Sequence, residues 1–107
     1  VAPLVIRQFD LVANPGARQR PNVPYMVILQ SHHLSMETTV VAPVRTSDEA
    51  DGIGDVEVPI IVEDLPHAIM VAELAHLPTG LIGRRVGSLA DHEDDIRRAL
   101  DQLFTGF

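Results

Sequence analysis

The chain has 107 residues, no cysteine and a formal net charge of −7. The lack of cysteine excludes disulfides and Cys-ligated zinc and suits a reducing compartment. No apolar run approaches the roughly 20 residues that a membrane span needs, and the acidity disfavours phosphate backbones while favouring a basic partner. The expectation is one cytoplasmic domain over residues 1–107, long enough to bury roughly two thirds of its unfolded surface. All eight basic residues are arginine, a side chain that makes forked hydrogen bonds and tolerates desolvation better than lysine. Residues 1–6, Val-Ala-Pro-Leu-Val-Ile, are apolar but lack the basic start and small-residue cleavage site of a signal peptide.

In chain order, the first extended segment is predicted at Leu4–Ala13, where Phe9, Leu11 and Ala13 alternate with Gln8, Asp10 and Val12. Asn14–Asn22, with two prolines, a glycine and two asparagines, makes a hairpin-type connection longer than a tight turn. A second strand follows at Tyr25–Gln30 and, after polar Ser31–Glu37, a third at Thr38–Val44, whose β-branched start suits a pleated surface. Thr46–Gly54 is too polar to bury much area and reads as an exposed, mobile loop. Two more strands are predicted at Val56–Val62 and His67–Glu73, joined by a turn at Glu63–Pro66. Pro59 gives the fourth strand an edge position. One helical turn is expected at Leu74–Leu77, a turn at Pro78–Gly80 and a short strand at Leu81–Ile82.

From Leu89 to Phe107 the pattern changes. Apolar side chains at Leu89, Ile96, Ala99, Leu100, Leu103, Phe104 and Phe107 fall on one helical stripe. Glu93, Asp94 and Asp95 lie early, where they complement the helix dipole, and Ser88 or Asp91 is the expected cap. This helix reads either as a core element or as one whose tip is presented to a partner. Short strands followed by one terminal helix imply a mainly β protein: a small antiparallel barrel or curled sheet with the helix beside it.

Chemistry-bearing constellations are sparse. His32-His33 on a strand would point to opposite faces and chelate poorly, and no metal site or cofactor is expected. His92-Glu93 lacks the second histidine of a zinc protease. Gly80-Leu-Ile-Gly83 with Arg84 and Arg85 resembles a nucleotide-clamping loop without its flanking helices. The serines lie in no nucleophile elbow. Arg18 and Arg20, on a proline-bounded connection, read either as solvated loop charges or as receivers for the carboxylates of an acidic peptide.

Several segments in this order resemble the CcdB family, the toxins of ccd toxin–antitoxin modules. They are Gln8-Phe9, Gln30-Ser31, Val41-Ala-Pro-Val44, Pro78 with Leu81-Ile-Gly83, and above all Leu89–Phe107. The last is similar to the family's Leu-Ser-His-Arg-Glu-Asn-Asp-Ile-Lys-Asn-Ala-Ile-Asn-Leu-Met-Phe-Trp-Gly-Ile. The similarity runs from about Arg7 to Phe107; residues 1–6 have no counterpart. The resemblance implies an SH3-like barrel, an accessory sheet and a C-terminal helix, the fold shared by CcdB and MazF toxins. It further implies a homodimer that binds the DNA gyrase A protein and traps the gyrase–DNA cleavage complex, acting as a poison rather than an enzyme.

Carried over by position, the resemblance assigns gyrase contact to Asp101, Phe104, Thr105, Gly106 and Phe107, with His33 and Leu34 beside the dimer seam. A CcdA-like antitoxin with a disordered acidic-amphipathic segment would grip the first connection through Asn14, Pro15, Arg18 and Arg20. Operator DNA would be contacted only through that antitoxin. Departures from the family fall at the tip: Thr105 replaces Trp, Asp101 replaces Asn, His33 and Leu34 replace two Ile, and Ala90 replaces a capping Ser. Loss of the indole alone removes a stacking contact worth about 0.5–2 kcal/mol. Two alternatives remain open. One is a MazF/Kid-like endoribonuclease using Arg84, Arg85 and His67; the other is a homologue that has lost gyrase poisoning and only binds antitoxin.

Overall fold

The computed structural model of the chain describes residues 6–34, 36–48, 54 and 56–106. Its strands are β1 (Asp10–Ala13), β2 (Tyr25–Ile28), β3 (Thr38–Thr46), β4 (Glu57–Val62), β5 (Leu65–Met70), β6 (Ala75–Pro78) and β7 (Arg85–Ser88), followed by helix α1 (Glu93–Thr105). β3, rich in β-branched residues, is the strand from which the sheet branches. One edge pairs with β2 through Val41–Val44. On the other edge Thr38–Val41 pairs with β6 and Val44–Thr46 with β5. The Val40 carbonyl accepts the Leu29 N–H on the β2 side. By the alternation of a strand, the Pro43 nitrogen therefore faces the gap where β3 changes partner, so no ladder bond is lost there.

The full order is β4-β5-β3-β2-β1-β7, antiparallel throughout, with β6 as the branch on β3. This is the mainly β, curled half-barrel with one C-terminal helix that the pattern implied, and the β3–β6 branch is its smaller accessory element. β4 does lie at an edge, and its burial alternates cleanly: Val58, Ile60 and Val62 are buried while Pro59 and Ile61 are exposed. Glu63 and Asp64 both adopt left-handed backbone (φ 51° and 65°), the two-residue turn that matches strand twist.

Both sheet faces are covered. On one, Leu11, Val27, Ala42, Val44, Val58, Ile60 and Ile69 pack with Ile96 and Ala99 of α1. On the other, Val12, Ile28 and Val41 form a smaller cluster with Ile6, Met26, Leu77 and Ile82. That second cluster is why Leu11 and Val12 are both buried although they point to opposite faces.

Several boundaries differ from the sequence reading. The first strand starts at Asp10, because Gln8-Phe9 forms a turn with Phe9 in left-handed backbone (φ 69°). Such backbone costs a non-glycine residue about 1–2 kcal/mol. It is held by buried packing of the ring and by hydrogen bonds from Phe9 N–H to the Ile28 carbonyl and from Leu89 N–H to the Phe9 carbonyl, both 2.7 Å. β3 runs to Thr46, and β5 ends at Met70 before a 3₁₀ turn at Val71–Glu73. The expected helical turn at Leu74–Leu77 is strand β6, and the expected strand at Leu81–Ile82 is instead a 3₁₀ turn at Thr79–Leu81. β7 has no counterpart in the sequence reading. Of the loop expected at Thr46–Gly54, residues 49–53 lie outside the described residues, as do Leu4, Val5 and Phe107.

Gly83 explains part of the family-like turn. A Cβ there would lie 2.3 Å from the Ala13 carbonyl oxygen, so only glycine lets the chain pass β1 and enter β7. Among the described residues no helix is long and apolar enough to cross a membrane.

Candidate functional site

α1 opens on a 3₁₀ turn at Ala90–His92 with Glu93, Asp94 and Asp95 in its first helical turn. Neither expected cap closes it: α1 has no side-chain cap bond, and the Ser88 hydroxyl instead accepts the Ala90 N–H at 3.2 Å, one turn earlier. The 3₁₀ turn supplies the geometry that a cap would otherwise provide. Arg97 pairs with Glu93 at 2.8 Å and stands 6.0 Å from the Phe9 ring centre, tying the helix to the Phe9 turn.

The apolar stripe divides along the helix. Ile96 and Ala99 are buried and Leu100 and Leu103 are partly covered, while Phe104 is 71% exposed. At 100° per residue Phe104 lies roughly 80° around the helix from Ile96, beyond the edge of the buried stripe. Asp101, Thr105 and Gly106 are exposed beside it. The Thr105 hydroxyl donates back to the Asp101 carbonyl, and Gly106, in left-handed backbone (φ 78°), donates its N–H to the Gln102 carbonyl at 2.9 Å. That is a glycine-terminated helix end, with nothing within 4 Å of an added Gly106 Cβ. The tip is therefore well formed and open. Phe107 lies outside the described residues.

The β1–β2 connection is a rigid, multiply bonded loop. Asn14 is buried: its side-chain amide donates to the Val23 carbonyl at 2.7 Å and its Oδ1 accepts the Gly16 N–H at 2.8 Å. Gln19 and Arg20 N–H groups both return to the Gly16 carbonyl. Asn14 thus clamps the loop from inside, its side chain turned away from the surface. Pro15, Arg18 and Arg20 are exposed on the outside. Arg20 makes a 3.6 Å ion pair with Glu73 of the 3₁₀ turn after β5, a neighbour that no local pattern announces. Arg18 has no ion-pair partner among the described residues.

His32 and His33 lie in a turn after β2, not on a strand, so their rings sit side by side, 4.4 Å between centres. The Arg7 guanidinium is 3.2 Å from His32 Nε2. Loss of water around the ring and the charges of Arg7 and His33 hold His32 below the ordinary imidazole pKa, with Asp10 opposing. A cation beside the pair is the opposite of what a metal ligand set offers. Leu34 is exposed and lines a concavity of about 270 Å³ with Ile6, Ile28, Met36 and Ile82. Sequence reading missed Arg7 and Met36 here, since contact with them is made only on folding. No hydrogen bond or ion pair among the described residues joins His33 or Leu34 to the helix tip.

No hydrogen bond, ion pair or ring contact among the described residues joins His67, Arg84 and Arg85, the residues of the ribonuclease alternative. His67 is buried on β5 against Tyr25, with Nδ1 2.9 Å from the Leu65 carbonyl. Arg85 lies on β7, separated from β5 in the sheet by β3, β2 and β1. It is paired with buried Asp10 at 3.1 Å.

A curled antiparallel sheet backed by one C-terminal helix is a toxin fold of the CcdB and MazF kind. The chain belongs to the CcdB family: the family model, described as CcdB protein, matches residues 8–106. Among solved structures, a crystal structure of an Mtb toxin is similar with a TM-score of 0.61 and 25% identity, covering 75% of this chain and 91% of that one. The Mycobacterium tuberculosis toxin MazF-mt6 is similar with a TM-score of 0.68 and 19% identity, covering 92% of this chain and 96% of that one. No curated protein sequence matches the chain significantly.

Proposed function

We propose that this chain is the toxin of a type II toxin–antitoxin pair, acting in the cytoplasm as a homodimer that binds the DNA gyrase A protein and keeps the gyrase–DNA cleavage complex from resealing. It works by binding and not by catalysis, because the broken-strand intermediate is made by gyrase itself. One observation carries the reading: α1 is anchored in the core by Ile96 and Ala99 while Phe104 and its neighbours Asp101, Thr105 and Gly106 stand in solvent at the helix end. An exposed aromatic on a rigid element is the usual form of an interface anchor. His33 and Leu34 are the secondary contacts.

Neutralisation falls to a CcdA-like antitoxin whose acidic segment docks on the β1–β2 connection through Pro15, Arg18 and Arg20, with Asn14 holding those residues in place. Operator DNA is met only through the antitoxin, in keeping with a net charge of −7.

The test is a cleavage assay with purified chain, gyrase and supercoiled plasmid from one host, read as linear DNA after detergent and protease. Linear product is expected. RNA cleavage without linear DNA would move the chain to the endoribonucleases. Antitoxin binding with neither activity would make it a module that has lost poisoning through Thr105 and Asp101. As a companion, Gly106→Arg adds bulk into open space, at the cost of the strain that a side chain takes on in left-handed backbone; it is expected to abolish linear product and leave antitoxin binding intact.

A further inference from the structure

The edge strand β4 carries surface that neither the helix tip nor the first connection uses. Ile61 is 64% exposed, and Pro66, its partner across the hairpin, is exposed beside it. Pro59, Ile60, Ile61 and His92 line a concavity of about 240 Å³ between β4 and the lead into α1. Pro59 also borders a second concavity, about 290 Å³, where Val58 faces Ala99 and Arg98 of α1. Sharing Pro59, the two flank β4: the first is mostly apolar, while the second is lined also by Glu57, Asp95 and Gln102.

The backbone of that edge is biased. A two-residue turn makes Val62–Leu65 the closing hydrogen-bonded pair, so Val58, Ile60 and Val62 turn their N–H and C=O groups toward β5, and Glu57, Pro59 and Ile61 turn theirs outward. The Pro66 carbonyl, which accepts the Ser47 N–H on the far side of β5, agrees with that alternation. The Glu57 N–H is already given to the Gly54 carbonyl, and proline has none to give. The edge thus offers the carbonyls of Glu57, Pro59 and Ile61 but only the Ile61 N–H, so it accepts more than it donates.

Charge points the same way. Glu93 and Asp95 are paired with Arg97 and Arg98 at 2.8 and 3.3 Å. Asp91 and Asp94 at the helix start, and Glu63 and Asp64 at the hairpin turn, have no ion pair among the described residues. A mostly apolar concavity, an acceptor-rich edge and an acidic border call for a partner with apolar side chains and many donors.

We propose that the concave edge of β4 docks a polypeptide segment that interleaves apolar residues with arginine or lysine, its apolar side chains seated on Pro59, Ile61 and Pro66. This edge does not depend on the proposed gyrase activity. The test is fluorescence anisotropy of the full chain with three labelled ten-residue peptides: Leu alternating with Arg, Leu alternating with Glu, and Ser alternating with Arg. Amide-resolved NMR titration locates the site. The Leu/Arg peptide is expected to bind at least tenfold more tightly than either control, shifting amides of 57–65 and 91–99.

Ile61→Ser is expected to lose at least tenfold in affinity, and Pro66→Ser, the second variant, about fivefold. Asp91→Asn with Asp94→Asn is expected to lower affinity severalfold and flatten its salt dependence. Equal binding of the Ser/Arg or Leu/Glu peptide, shifts elsewhere, or full affinity in correctly folded Ile61→Ser and Pro66→Ser variants would overturn the proposal. So would self-association of the chain through β4 without peptide binding.

Discussion

The two surfaces proposed to meet partners are built on opposite plans. At the end of α1 an exposed aromatic stands among small and acidic side chains, and their order comes from a helix whose other half is buried. On the β1–β2 connection the outward side chains are charged, and their order comes from the loop itself, clamped by Asn14 and by bonds to the Gly16 carbonyl. A helix end gains rigidity readily, since each residue adds a bond to a ladder already nucleated. A loop needs a buried polar side chain to gain it. The tip can therefore vary in its contact residues without loss of fold, whereas the connection depends on one internal asparagine. The departures seen in this chain, Thr105 and Asp101, fall on the tolerant plan.

The comparison can be broken at several points. The largest effect is expected from Ile96→Ala, which empties a fully buried position. It should cost about 2–5 kcal/mol, seen as a lower urea midpoint at unchanged slope, with gyrase binding lost alongside it.

Next is Asn14→Ala. Removing both bonds of a buried amide should cost about 1–3 kcal/mol and weaken binding of an acidic antitoxin peptide, because the loop that carries Arg18 and Arg20 loses its internal clamp. Arg18→Ala should weaken the same peptide with no change in the unfolding curve. A stability loss in Arg18→Ala, or unchanged peptide affinity in Asn14→Ala, would contradict the contrast between clamp and contact.

Phe104→Ala sharpens the other side. An exposed residue should change stability by less than about 0.5 kcal/mol, while an interface anchor should cost about 2 kcal/mol of affinity. Binding to the surface-immobilised gyrase A protein and a parallel melt measure both.

The smallest effect concerns the body that carries the two surfaces. Arg45 meets Glu57 through two nitrogens, at 2.8 and 3.2 Å. That hydrogen bonding holds the Glu57 carboxyl below the ordinary glutamate range, against some loss of hydration, with the Gly54 N–H and the Arg45 charge adding to it. A folded-state value lower than the unfolded one stabilises the native state above the ordinary range, and this contribution fades as pH falls through the depressed value. Urea midpoints followed from pH 6 downward should show part of their acid slope disappear in Glu57→Gln.

Much of this was legible in the chain. Pro59 marked an edge strand, because proline has no N–H to give to a neighbour on a second side. The stripe from Ile96 to Phe104 marked the helix, because apolar residues at helical spacing share one face. The candidate site was legible only as a set of positions, through Gly106, Phe104 and the arginines of the first connection. β6 and β7 were not legible: Ala75–Pro78 and Arg85–Ser88 are short and weakly patterned, and become strands because the edges of β3 and β1 need partners.

What the sequence determined by itself, then, was period and composition: a mainly β chain, one amphipathic helix, an acidic surface and a family resemblance strongest at its end. Only the tertiary structure decided which side of each residue faces a neighbour. It turned Asn14 inward and Phe104 outward, set Arg20 against Glu73, placed His32 beside Arg7 and left Ile61 uncovered. Those outcomes are set by contacts between residues far apart in the chain, and such contacts are chosen by packing, which no local pattern encodes.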